Sequence, residues 1–308
     1  FLDNTDVLLG VRPAGALTAG AGSSGTTSLT IPAGTATGVY YVIAVADYNM
    51  QVGETNETNN WRTSGQLRVG PDLVESSISG SSIGGSGGTI TVTDTVKNQG
   101  LGDAPASTTG IYFSTSAVFN SSATRIGSRS VPALPAGTTN TASTQVTLPT
   151  GLATGNYFVF ANADDTNVVV EAFEINNYSA ALLVKVGPDL VVTAFAPPST
   201  MVTGVSVNVN STVLNQGGGA AGGSTVKFYL STNISVDATD VVVGSRSVGP
   251  LNAGQSDIGA AAILIPSGTA AGSYWLIAVA DDGNVVTETV ETNNTRAAIV
   301  RVTVGSGM

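Results

Sequence analysis

The chain has 308 residues, of which 10% are charged, and its 21 acidic and 11 basic side chains give a formal charge of −10 at pH 7. This sparse acidic charge offers no basic patch for nucleic acid or for an anionic membrane surface. No apolar stretch approaches the roughly 20 residues of a membrane-spanning helix. The absence of cysteine and histidine excludes His-based triads, thiol nucleophiles and the usual zinc sites.

An internal repeat organises the whole sequence. The segment Pro71-Asp72-Leu73 recurs as Pro188-Asp189-Leu190, a step of 117 residues (188 − 71 = 117). The same step separates Glu57–Asn60, Glu174–Asn177 and Glu291–Asn294, and also Gly10, Gly127 and Gly244, and Pro32, Pro149 and Pro266. A fixed period marks tandem modules. We therefore expect the back part of a module at 1–70, complete modules at 71–187 and 188–305, and a tail at 306–308.

The first residue lies inside a repeat. The missing front strands of the first module are therefore expected to come from a neighbouring chain or from sequence that precedes residue 1. The motif spacing predicts modules without a single insertion, although loops normally tolerate insertions. A fairly recent duplication explains such spacing, and so do loops held in place by neighbours in an ordered polymer. Both explanations stay open.

Strand signals alternate with turn signals along each complete module. Period-two alternation predicts strands at Ile90–Thr93 and Val205–Val209, and an Asn-Gln-Gly turn closes each of them. Ile111–Phe113 and Lys227–Leu230 predict the next strand. A Gly-x-Tyr motif opens a later strand at Gly38–Tyr40, Gly155–Tyr157 and Gly272–Tyr274. About seven short strands per module, with no helical period, predict an all-β chain of tandem immunoglobulin-like β-sandwich repeats.

Two local features bear on how the modules are held. The tyrosine of the Gly-x-Tyr motif is either a tyrosine corner, which pins the loop before its strand, or simply a core aromatic. The joints Val69–Pro71 and Val186–Pro188 run from a last strand directly into the next module. Because proline fixes its own φ and restricts its predecessor, joints this short favour a stiff rod.

The strand after Gly-x-Tyr has apolar residues on both faces. The segment Tyr40–Ala46 is apolar throughout, and the third module repeats this feature with Trp275, Ile277 and Val279. A sandwich strand normally has one polar face. The outer face is therefore expected to be covered, either by a local loop or by a contact with another subunit.

The segment richest in chemistry is an acidic loop around each Glu-x-Asn-Asn motif. Its residues are Asp47, Glu54, Glu57, Asn59 and Asn60; Asp164, Asp165, Asn167, Glu171, Glu174, Asn176 and Asn177; and Asp281, Asp282, Asn284, Glu288, Glu291, Asn293 and Asn294. Crowded oxygen ligands suit Ca²⁺, which takes about six to eight of them. Side chains that cap turns by bonding their own backbone explain the same composition, and this is the favoured interpretation.

A second acidic pair is unsuited to an obligatory metal site. Asp3 and Asp6 match Asp237 and Asp240, but the middle module has Asn120 and Ala123 at these positions. Paired carboxylates of a glycosidase face each other across a cleft, whereas these pairs recur on turns. The sequence therefore predicts no enzyme and no catalytic, cofactor-binding or metal residue, with Ca²⁺ at the acidic loop as the alternative.

Four motifs in a fixed order resemble the CARDB module, a cell-adhesion-related domain of bacteria and archaea. They are Pro-Asp-Leu-Val, Thr95–Gly100, Phe228–Ser231 and the run from Ala-Asp to Asn-Asn. The resemblance implies an immunoglobulin-like fold, an extracellular or cell-surface setting, tandem use on long surface proteins, and no catalytic residue. We expect a structural repeat protein that self-associates into an extracellular filament. The alternative is a stalk or adhesion segment that spaces a binding head from the cell.

Overall fold

The complete modules are two-sheet sandwiches because their strands alternate apolar and polar residues. The computed structural model describes residues 2–306, and no helix occurs among them. Strand β5 (Thr89–Asn98), for example, turns Ile90, Val92 and Val96 inward, where all three are buried, and keeps its threonines on the outer face. Burying each such side chain contributes about 1.5–3 kcal/mol. The predicted immunoglobulin-like fold is confirmed.

The middle module pairs a three-stranded sheet, in the order β3-β5-β8, with a five-stranded sheet, in the order β4-β10-β9-β6-β7. All neighbours are antiparallel except β4 and β10. Before this module lie β1 (Gly38–Val45) and β2 (Trp61–Val69). The module itself contains β3 (Leu73–Gly80), β4 (Ile83–Gly84), β5 (Thr89–Asn98), β6 (Ser107–Ser114), β7 (Thr124–Val131), β8 (Thr139–Thr147), β9 (Gly155–Asn162) and β10 (Leu182–Val186).

The third module repeats this plan. Its sheets have the orders β11-β13-β16 and β12-β19-β17-β14-β15, with β18 also pairing β17. The strands are β11 (Leu190–Phe195), β12 (Thr200–Val202), β13 (Ser206–Asn215), β14 (Ser224–Ser231), β15 (Val241–Val248), β16 (Ser256–Leu264), β17 (Gly272–Val279), β18 (Thr295–Ala297) and β19 (Val302–Gly305).

The first module contains one antiparallel hairpin, formed by β1 and β2. Residues 2–37 form no strand. Without an opposing sheet, the inward face of the hairpin stays open: Tyr40 is 37% exposed, whereas the equivalent Tyr157 is 9% exposed.

The prediction that the modules contain no insertion is wrong for the last strand of the third module. Val186 pairs with Gly155, and Val304 pairs with Gly272, so this step is 118 residues (304 − 186 = 118). The extra residue falls between β18 and β19, where Ile299 and Val300 are 82% and 56% exposed. A bulge in a strand absorbs an extra residue locally and leaves the pairing beyond it intact.

The outer apolar face of the Gly-x-Tyr strand is covered within the middle module. Phe119, from the loop between β6 and β7, packs with its ring centroid 5.5 Å from that of Phe160. Phe119 also stacks on Tyr178 at 5.2 Å. In the third module Ile277 is fully buried on this face, and the Arg301 guanidinium lies 5.5 Å from the Trp275 ring centroid. In the middle module the loop between β6 and β7 therefore covers part of this face, whereas Trp275 in the third module stays half-buried.

Candidate functional site: the acidic loop and the module joint

The strand that leads into the acidic loop has a tyrosine near its start, and this tyrosine holds the loop before the strand in every module. Each Gly-x-Tyr hydroxyl donates a hydrogen bond to the backbone carbonyl four residues earlier. The pairs are Tyr40 with Ala36 at 2.9 Å, Tyr157 with Ala153 at 3.1 Å, and Tyr274 with Ala270 at 3.0 Å. The tyrosine-corner interpretation is therefore correct in all three modules.

The acidic loop begins with an aspartate that caps its own turn. Asp164 and Asn167 have φ values of 43° and 52°, in the left-handed region that short polar side chains tolerate. The Asp164 carboxylate accepts hydrogen bonds from the amides of Val168 and Val169 at 3.2 and 2.7 Å. Equivalent caps are formed by Asp47 and Asp281. The turn-capping interpretation accounts for these carboxylates.

The first glutamate of the loop points inward and holds the first strand of its own module. Glu171 Oε2 accepts the backbone amide of Leu73 at 2.5 Å, and Oε1 accepts the side-chain amide of Asn177 at 2.9 Å. Burial raises the pKa of Glu171 to about 7, although both hydrogen bonds oppose that shift. Glu288 repeats the contact with Leu190, and burial likewise raises its pKa to about 7. The loop therefore closes the module around its first strand.

Asp72 links that closure to the preceding module. Its carboxylate accepts the side-chain amides of Asn176 and Gln99 at 2.8 and 3.1 Å. Arg68, in the last strand of the first module, lies 3.7 Å from the same carboxylate, and its guanidinium is 4.1 Å from the Phe173 ring centroid. The Asp of the Pro-Asp-Leu motif is therefore a connection point between modules. Asp189 keeps the two amide contacts, with Asn293 and Gln216.

A buried asparagine supports this joint, and sequence analysis assigned it only a turn. Asn98 Oδ1 accepts the amides of Asp72 and Gly100, at 3.2 and 3.1 Å, while Nδ2 donates to the carbonyls of Gly102 and Leu134, at 2.8 and 2.9 Å. Asn215 repeats all four types of contact in the third module. The repetition of Asn-Gln-Gly in step with Pro-Asp-Leu is the signal that could have indicated this role.

The joint between the second and third modules is built from glycine. Gly187 has a φ of 136°, which glycine adopts readily and side-chain-bearing residues rarely do. Its amide donates to the Gly84 carbonyl at 3.2 Å, and its carbonyl accepts the Gly219 amide at 2.9 Å. A Cβ atom on Gly218 would lie 2.3 Å from the Gly84 carbonyl carbon. The two modules therefore meet backbone to backbone, with no room for a side chain.

The core of the middle module also contains a charged cluster. Arg129 Nη2 lies 2.6 Å from Asp94 Oδ2, and both side chains are buried. The Thr109 hydroxyl donates to Glu75 Oε1 at 3.1 Å, while Glu75 Oε2 is buried without a hydrogen-bond partner. Burial, followed by the nearby Asp94 carboxylate, raises the pKa of Glu75 to about 8. Glu75 is therefore held largely protonated at neutral pH.

The third module keeps the arginine but moves its carboxylate to another strand. Arg246 pairs with Asp257 on β16, at the position where the middle module has Asn140. Ser211 replaces Asp94 and accepts Arg246 Nε at 2.9 Å. Each complete module therefore supplies one carboxylate to this arginine, from different strands.

The second acidic pair forms a local turn. Asp237 Oδ1 accepts the Thr239 amide, and Asp240 Oδ2 accepts the Asp237 amide, both at 2.8 Å. The hydrogen bonds from Thr239 lower the pKa of Asp237. Across residues 2–306 no cluster of three or more aspartate and glutamate side chains is arranged to hold a metal ion. The same residues contain no helix able to cross a membrane.

Comparison with known proteins gives one family and several solved structures. The CARDB family model matches residues 1–64, 70–181 and 187–298. A CARDB domain from Pyrococcus furiosus, solved in complex with di-metal ions, is 27% identical, with 38% of this chain and 93% of that chain covered and a TM-score of 0.30. A domain of a predicted cell surface protein from Methanosarcina acetivorans is also 27% identical, with 39% and 96% covered and a TM-score of 0.30. No curated protein matches the chain.

Proposed function

This chain belongs to the CARDB family, and on that premise we propose that it is a non-catalytic, adhesion-related array at the cell surface that acts as a stiff spacer. The observation that carries the proposal is the joint between modules. Gly187 connects two modules through backbone hydrogen bonds on both of its sides, without an intervening linker. A joint of this kind limits bending, whereas a flexible linker would let the modules move independently.

The role of a spacer is to hold a binding segment at a distance from the cell surface, and this distance is set by the length of the array. Because the modules pack end to end, length grows in proportion to module number, and little of it is lost to bending. Adhesion itself then belongs to a binding segment carried by the array. The domain of a predicted cell surface protein from Methanosarcina acetivorans is consistent with this setting.

Small-angle X-ray scattering on the full chain tests the spacer. We expect an elongated, rigid particle, and we expect a variant with a flexible glycine-serine insertion between Gly187 and Pro188 to give a broader distribution of dimensions. Equal flexibility of the two chains would contradict the proposal. Insertion of the same segment into the exposed loop at Ser121 is the matched control, because it lengthens the chain without separating modules.

A filament is the second candidate. The open inward face of the hairpin β1–β2 favours association with other chains. Two sequence arguments for the filament are weaker, because the insertion-free spacing ends before β19 and the outer face at Phe160 has a local cover. Electron microscopy of the native material separates the candidates: ordered fibres support the filament, and isolated rods at all concentrations support the spacer.

A further inference from the structure

An open groove with a volume of about 370 Å³ lies on the third module, beside the tyrosine of its Gly-x-Tyr motif. Among the residues that line it, Leu230 is buried and Tyr274 is half-buried, whereas Thr232 and Thr239 are exposed. Leu230 and Tyr274 therefore lie deepest, and the two threonines lie at the edge. Small molecules bind in concave sites of roughly 300–1,000 Å³ that combine apolar walls with a few polar groups.

The tyrosine at this groove is less covered than its equivalent in the middle module. There Phe113 stacks on Tyr157, with ring centroids 4.9 Å apart and an interplanar angle of 18°. The third module has Leu230 at the position of Phe113, and Tyr274 is half-buried where Tyr157 is 9% exposed. Because a leucine side chain covers less of an aromatic face than a second ring does, part of the Tyr274 ring is left to the groove.

Two further lining positions are apolar in the middle module and polar in the third. Asp240 stands at the position of Ala123, and Thr269 stands at the position of Leu152, which packs against the core of the middle module. Both Asp240 and Thr269 line the groove. One lining side chain is therefore smaller and two are polar, all around the same tyrosine, so a packed apolar surface becomes a groove with hydrogen-bonding groups.

The polar groups of the groove have hydrogen-bonding capacity that the protein does not use. Asp240 Oδ2 accepts the Asp237 amide at 2.8 Å, which leaves Oδ1 free to accept another donor. The hydroxyl groups of Thr232 and Thr269 form no hydrogen bond with any residue in the range 2–306. A carboxylate oxygen only accepts, whereas a threonine hydroxyl both donates and accepts. This combination suits a ligand that has several hydroxyl groups.

We propose that this groove binds a neutral saccharide through one pyranose ring. The C–H groups on one face of a sugar ring are weakly positive and pack on the negative face of the Tyr274 ring. The sugar hydroxyl groups donate to Asp240 Oδ1 and exchange hydrogen bonds with Thr232 and Thr269. An acidic sugar is disfavoured, because the Asp240 carboxylate and the formal charge of −10 on the chain repel it. The proposal goes beyond the spacer function and does not depend on it.

Saturation-transfer NMR on the full chain is the first test, with the methyl glycosides of glucose, galactose and mannose as probes. We expect at least one of them to bind with a Kd on the order of 1–10 mM, as suits so small a ligand. The saturation should be strongest on the C–H protons of one ring face, which contact Tyr274.

Three substitutions copy the middle module into the groove. Leu230→Phe covers the tyrosine as Phe113 does and is expected to abolish binding. Asp240→Ala and Thr269→Leu remove the polar groups one at a time, and each should weaken binding by about fivefold or more. Because these two positions lie outside the core, they keep the test valid if Leu230→Phe fails to fold.

Phe113→Leu in the middle module is the matched control. It uncovers Tyr157 in the way seen in the third module, but Ala123 and Leu152 leave that position without a carboxylate or a hydroxyl group. We expect the substitution to add no saccharide binding. A second binding site in this variant would contradict the proposal, because any uncovered tyrosine would then be sufficient.

Several other results would overturn the proposal. They are the absence of saturation with all three glycosides, binding that Asp240→Ala and Thr269→Leu leave unchanged, and glucuronate bound as tightly as methyl glucoside. Saturation of tetramethylammonium without saturation of any glycoside would assign the groove to a cation instead. None of these results bears on the spacer function, which the scattering experiment tests without any saccharide.

Discussion

The carboxylate of Glu171 accepts a hydrogen bond from the backbone amide of Leu73, 98 residues earlier in the chain, at 2.5 Å. It joins the last loop of the middle module to its first strand, so the module is closed by a side chain as well as by its sheets. We expect Glu171→Ala to lower the free energy of unfolding of this module by about 1–3 kcal/mol, because the buried Leu73 amide is left without a partner. Urea denaturation measures the change.

Glu54→Ala is the matched control for that prediction. Glu54 is equivalent to Glu171 but is exposed, and among the described residues no front strand reaches it. Its replacement is expected to change stability by less than about 0.5 kcal/mol. Equal effects of the two substitutions would contradict the closing role of Glu171.

Stability of the middle module is expected to fall as the pH rises from about 5 to about 8. Burial raises the pKa of Glu75 from 4.5 to about 8 in the folded module, so between these values the folded state holds a proton that the unfolded state has lost. The stabilisation is complete below pH 4.5 and is lost as the pH rises through 8. Its size is on the order of a few kcal/mol.

Glu75→Gln tests the origin of this pH dependence. Glutamine keeps an oxygen for the Thr109 hydroxyl but does not titrate, so the stability of the middle module should vary much less between pH 5 and pH 8. A smaller slope remains from Glu171, whose pKa is about 7. The third module, with Val192 at the equivalent position, is an internal comparison in calorimetric unfolding. An unchanged slope in the variant would show that Glu75 does not carry the effect.

The buried arginine pairs with a carboxylate on a different strand in each complete module. We therefore expect a second substitution to compensate for the loss of the first carboxylate. Asp94→Ser leaves the buried Arg129 without its charge partner and is expected to cost about 3–5 kcal/mol. Adding Asn140→Asp restores a carboxylate partner at the position from which Asp257 pairs with Arg246 in the third module, and should recover most of the loss. A double-mutant cycle measures the coupling. A double variant no more stable than Asp94→Ser would refute the equivalence of the two arrangements.

Removal of divalent cations is expected to leave the melting temperature unchanged. The carboxylates of Asp164 and Glu171 accept hydrogen bonds from protein amides and do not depend on an ion for neutralisation. Calorimetry with a chelator, and then with added Ca²⁺, checks this expectation. A shift of several degrees in either experiment would show that the loop binds metal, with Asp164→Asn as the variant that should abolish the shift.

The sequence predicted the fold well because its evidence was periodic. The alternation of apolar and polar residues predicted β5, and the repeat predicted the position of the Gly-x-Tyr tyrosine. The hydrogen bond of that tyrosine could be anticipated because its acceptor lies only four residues earlier in the chain. The sequence did not predict the role of Asn98, because that side chain joins segments far apart in the chain and looks like an ordinary turn residue. The insertion near Ile299 lies beyond the last repeated motif, which ends at Asn294, so the motif spacing could not indicate it. The sequence also did not predict the contact between Glu171 and Leu73, because the two residues are far apart in the chain and meet only in the folded module.

The glycine contact at the second joint also determines which modules can be neighbours. Gly218 meets Gly84 without space for a side chain, whereas the middle module has Leu101 at the position of Gly218. If the third module were replaced by a second copy of the middle module, the leucine equivalent to Leu101 would therefore lie against the backbone of Gly84. The modules share one fold but differ at their joints, so we expect reordered repeats to lose the backbone contact between neighbouring modules.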